Sequence, residues 1–142
     1  GEALMNEAVQ KRGSVETAYF SVTGTADEVV PFVNENNWRT NAFFCAWTAY
    51  QTMNGMEVSS RPDFSKDATF GIALEDREVI STNKRVTMEA GVLYKGNIPL
   101  IKVVAVNDYG HWNFKPDARL MWDFMKQFSR DPQTKKLVYN KR

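Results

Sequence analysis

The sequence predicts an α/β fold, a largely parallel sheet with helices packed on its faces. Three observations predict it. Segments with helical and strand-like patterning follow in the order helix, strand, loop, helix, strands, loop, helix. The run at 99–106, PLIKVVAV, has almost no polar alternation, as expected of a strand covered on both faces. The 142 residues, 43% hydrophobic and 13% aromatic, suffice for one domain with a sizeable core, so residues 1–142 are read as a single unit.

Taken in order, residues 2–11 (EALMNEAVQK) place Leu4, Met5, Ala8 and Val9 at helical spacing and stop before Gly13. Residues 15–24 (VETAYFSVTG) are rich in β-branched and aromatic side chains and read as a strand closing at Gly24, followed by a loop at 25–32. A second helix over 38–54 carries Phe43, Phe44, Trp47 and Tyr50 as a packing face and ends at Asn54-Gly55. Residues 61–83 show no firm period and are assigned to loops and short strands. The runs at 85–94 and 99–106 flank Gly96-Asn97, a turn signal for which a hairpin is one reading, although the second run suits the middle of a parallel sheet. Pro116 fits the first position of a terminal helix with Leu120, Met121, Phe124 and Phe128 on one stripe, and 129–142 reads as a polar tail.

Composition excludes several function classes. With 25% charged residues and a net charge of +1, nothing favours nucleic acid or a membrane surface as partner. No apolar run approaches the roughly 20 residues of a membrane span, and the first residues lack the apolar stretch of a signal peptide. One cysteine and one histidine cannot furnish a zinc cage, so neither a metal nor another cofactor is expected. Cys45, within NAFFCAWTAY, reads as a small apolar filler.

That single histidine, His111, lies in DYGHWN, directly after the apolar run. In α/β sheets, sites collect at the carboxyl ends of strands. Two loops leave such ends with titratable groups, GTADEVVP with Asp27 and DYGHWN with His111, and both belong on one rim of the sheet. A carboxylate that orients an imidazole is the equipment of acyl transfer, in which histidine takes the proton of a nucleophile and the acid holds its tautomer. Gly110 lets the backbone turn sharply ahead of the ring. Asp27 also suits a plain turn-forming role, with Glu28 and Asp108 as local alternatives for the acid. Trp112, Phe32 and Trp38 flank the two loops as pocket-lining candidates, although aromatic side chains beside a strand end are more often simply core.

At this point the chain resembles a family. YFSVTGTADEVVPF, a following helix, and then VVAVNDYGHWNFKPDARLMWDFMKQFSRD resemble the C-terminal part of α/β-hydrolase esterases, in particular the polyhydroxybutyrate depolymerase and feruloyl esterase-like group. The likeness runs from about residue 15 to residue 130. It implies an α/β-hydrolase sheet incomplete without an upstream portion, with Asp27 as triad acid and His111 as general base, acting on a small-molecule or polymer-linked ester, in a secreted protein. The chain departs from the family in lacking a G-x-S-x-G elbow. Serines 14, 21, 59, 60, 65, 81 and 129 all lack the flanking glycines. The resemblance therefore implies that the serine lies on an N-terminal portion of the same hydrolase, outside this chain. The alternative is a non-catalytic α/β binding or scaffold module. A buried strand such as LIKVVAV needs neighbours on both edges, so the chain is expected to associate.

Overall fold

The structure, a computed structural model, describes residues 2–13, 15–82 and 85–141. Its elements are α1 (Glu2–Arg12), β1 (Tyr19–Gly24), α2 (Ala42–Met53), β2 (Glu75–Ser81), β3 (Thr87–Lys95), β4 (Ile98–Val106), α3 (Asp117–Met125), β5 (Phe128–Arg130) and β6 (Leu137–Tyr139). Four strands form one sheet in the order β1-β4-β3-β2. Only β1 and β4 are parallel, while β3 runs antiparallel to both β4 and β2. The sheet is mixed, which overturns the expected largely parallel sheet of the α/β-hydrolase kind.

The reason lies in what a missing alternation reports. On one side of β4, Ile101, Val103 and Ala105 pack with Phe44 and Trp47 of α2 and with Phe70. On the other, Val104 and Val106 pack with Met88 and Phe114, and Leu120 of α3 closes over them. Coverage of both faces explains the apolar run and carries no information about strand direction. Direction is set by the two-residue connection Gly96-Asn97, where Gly96 adopts φ 59°. So short a link can join only antiparallel neighbours. The strand expected to need outside partners already has β1 and β3 on its two edges, and the open edges belong to β1 and β2.

Elsewhere the boundaries shift for local reasons. Helix α2 starts at Ala42, not near Trp38, because the Asn41 side chain accepts from the N–H groups of Phe43 and Phe44, both at 3.0 Å. Strand β2 was hidden within a polar segment because nearly all its side chains are exposed, so no period of two marks it. The expected polar tail forms the β5–β6 hairpin, with the Phe128 ring 5.1 Å from Phe124 and 5.2 Å from Tyr139. Phe128 thus belongs to β5 and not to the helix stripe, Met121 of that stripe is largely exposed, and Pro116 sits at the N-cap. In α1, Leu4 is exposed, while the Met5 side chain lies outside what is described.

Trp47 is the centre of the larger core cluster. It is fully buried, Phe32, Phe44 and Phe70 meet it edge-on, and its indole Nε1 donates to Ser21 Oγ on β1 at 3.0 Å. Trp47→Ala is expected to cost about 3–5 kcal/mol through lost burial and the residual cavity. Urea unfolding checks this, and a loss within about 1 kcal/mol places the core elsewhere.

Candidate active site

Because β1 and β4 are parallel neighbours, paired to their last residues at Gly24 and Val106, the loops that follow them leave the same rim. The Asp27 side chain is 6% exposed and uses its two oxygens for different purposes. Oδ1 accepts from the N–H groups of Val29 at 2.8 Å and Val30 at 2.9 Å, which makes the turn. Oδ2 meets His111 Nδ1 at 2.8 Å across 84 positions of sequence. Turn former and imidazole partner, alternatives in the sequence, are both satisfied by one carboxylate.

Burial pushes the Asp27 carboxyl up, but the Val30 N–H, the His111 ring and the Val29 N–H together outweigh it and hold it below the ordinary 3.8. Near neutrality the group is therefore an anion that can only accept, so the proton of a neutral His111 ring stands on Nδ1. The Nε2 lone pair is then available, and the ring is 56% exposed with no further partner among the described residues.

A depressed carboxyl contributes stability that is present above its unfolded value and is lost as pH falls through the folded one. The stability advantage of the wild type over Asp27→Asn is thus expected to hold down to pH 3.8 and to shrink below it. Thermal midpoints of the two proteins across the acid range check this; a gap that stays constant to full protonation contradicts it.

The alternatives for the acid do not reach the ring. Glu28 is exposed, and the Asp108 carboxylate makes no bond among the described residues. Asp108 serves its turn through its backbone, in the left-handed region at φ 54°.

The three pocket candidates separate. Phe32 lines a cavity of about 430 Å³ with Thr25, Val33, Phe64 and Asn107, next to the starts of both loops. Trp112 follows His111 and is 83% exposed. Trp38 instead packs edge-on against Phe44 at 5.8 Å, with the Arg39 guanidinium over its ring, away from that cavity. A larger cavity of about 1070 Å³ opens at the other end of β4, between residues 56–66 and the Lys95–Gly96 turn.

None of the described serines makes a hydrogen bond to the ring. Ser21 accepts from Trp47, Ser59 pairs with Gln51, Ser65 donates to Asp63, Ser60 is exposed, and Ser81 and Ser129 lie on β2 and β5. Ser14 falls outside the described residues. Among the described residues no group of three or more His, Cys, Asp or Glu side chains is placed to hold a metal ion, and no helix is long and apolar enough to cross a membrane. Comparison with protein-family models, with curated proteins and with solved structures found no match to this chain.

Proposed function

We propose that this chain carries the acid, Asp27, and the general base, His111, of a serine esterase whose nucleophile is supplied by a polypeptide segment outside it. The observation that carries the reading is the buried, ionised Asp27 holding Nδ1 of an exposed ring whose Nε2 is free. A general base needs that asymmetry, one nitrogen held by an orienting carboxylate and the other left as an acceptor.

In the proposed reaction a serine hydroxyl placed at Nε2 attacks the ester carbonyl and gives its proton to His111. Asp27 stabilises the imidazolium, which then protonates the departing alkoxide. Water, deprotonated by the same nitrogen, releases the acid. The substrate is a carboxylic ester, small or polymer-linked, as in the polyhydroxybutyrate depolymerase and feruloyl esterase-like enzymes whose motifs the chain resembles. No cofactor enters.

The test compares p-nitrophenyl butyrate turnover by the chain alone with turnover by the chain expressed together with the sequence encoded ahead of it. Activity in the second sample only, with one serine labelled by a fluorophosphonate, is the expected result. Two inert samples, with no labelled serine, remove the proposal.

A further inference from the structure

We propose that Thr25 is a positioning residue for His111, its hydroxyl fixing the turn that carries the imidazole across to Asp27. The catalytic consequence rests on the acid–base reading above, but the placement of the ring does not.

The parallel ladder of β1 and β4 ends at Gly24 and Val106, and the Thr25 N–H continues it by donating to the Val106 carbonyl at 3.0 Å. A regular parallel ladder then sends the N–H two residues further along the second strand, that of Asp108, to the Thr25 carbonyl. Here it goes to the Thr25 hydroxyl instead, at 2.8 Å. The hydroxyl is an acceptor set off the main-chain line, so Asp108 can leave the strand path and enter the left-handed region at φ 54°, which aspartate tolerates better than most residues. One residue on, the Ala26 N–H donates to the Tyr109 carbonyl at 3.0 Å and ties the two loops again.

Gly24 shows how closely the loop is drawn in. A Cβ at that position falls 2.1 Å from the Tyr109 oxygen and 2.8 Å from the Gly110 oxygen, both backbone atoms. The chain passes directly over the end of β1 with no room for a side chain beneath it, and His111 follows at once. The hydroxyl above and the bare glycine below thus leave one path for residues 109–111. Removing the hydroxyl frees the Asp108 N–H to take a water and lets Asp108 relax toward an ordinary φ, which swings the ring off Asp27.

The test reads the ring itself in the intact chain, by ¹⁵N NMR of the imidazole, where a single histidine gives an unambiguous signal. The wild type is expected to show the Nδ1–H tautomer with a proton protected from exchange. Thr25→Val, which keeps the shape and removes the acceptor, is expected to lose that signature while its amide spectrum outside the two loops is unchanged. Thr25→Ser should keep it, and so should Asp108→Gly, because glycine adopts the left-handed turn freely. Retention of the wild-type tautomer in Thr25→Val overturns the proposal, as does its loss in a folded Thr25→Ser. Unfolding of Thr25→Val also overturns it, since a positioning residue leaves the fold standing. An assembled protein without esterase activity removes the proposed function and leaves this placement intact.

Discussion

His111→Ala is expected to lower ester turnover in the assembled protein by about 10⁶-fold, the scale on which loss of a triad base acts elsewhere. The chain has no second imidazole to take over the proton. The fold should survive, because Asp27 Oδ1 keeps its bonds to the Val29 and Val30 N–H groups and the departing ring is more than half exposed. Single-turnover release of p-nitrophenol from a p-nitrophenyl ester measures the effect. A variant that stays within tenfold of the wild type sinks the general-base assignment.

Asp27→Asn is expected to cost about 10⁴-fold, the scale of a triad whose base is left in the wrong tautomer. The geometry dictates that outcome. The Oδ1 position faces two N–H donors, so an asparagine must place its carbonyl oxygen there. Its NH₂ then falls in the Oδ2 position, 2.8 Å from Nδ1, and can only donate. Nδ1 becomes the acceptor, the proton moves to Nε2, and the nitrogen that receives the serine proton in the proposed reaction already carries one. Asp108→Asn is the control and should be mild, as the Asp108 carboxylate bonds to nothing among the described residues. If Asp27→Asn matches that control in kcat, Asp27 is a turn residue only.

Both members of the pair were legible in the sequence because each is announced locally. A strand-like run ending in a glycine or a turn signal marks where a loop begins, and Asp27 and His111 are among the titratable groups that follow two such runs, with Glu28 and Asp108 beside them. Their meeting required β1 and β4 to be parallel neighbours, an assumption that came with the expected parallel sheet. That one pair is parallel while the other two are not. The rim was therefore placed correctly by a sheet whose overall direction was not.

Packing patterns told equally well where side chains go and poorly how backbones pair. The buried face of α2, with Phe44 and Trp47, and the double coverage of β4 follow from apolar spacing, which is a property of adjacent residues. The exposed strand β2 and the short β5–β6 hairpin have no such spacing and exist because distant backbone groups find partners. The start of α2 was hidden in one side chain, Asn41, that caps the helix while donating to the Pro31 carbonyl ten residues back.

By itself, then, the sequence determined the buried face of α2 and the double coverage of β4, the turn at Gly96-Asn97, and the residue types available at the ends of β1 and β4. Only the tertiary structure decided which strands neighbour one another in the mixed sheet, the division of Asp27 between a turn and an imidazole, and the crossing of the His111 loop over Gly24. The physical reason is range. Burial and turn preference, and with the Gly96-Asn97 turn the antiparallel course of β3 and β4, are written in neighbouring residues, whereas the parallel pairing of β1 with β4 and the approach of two loops depend on hydrogen bonds between groups far apart in the chain, whose partners no local pattern names.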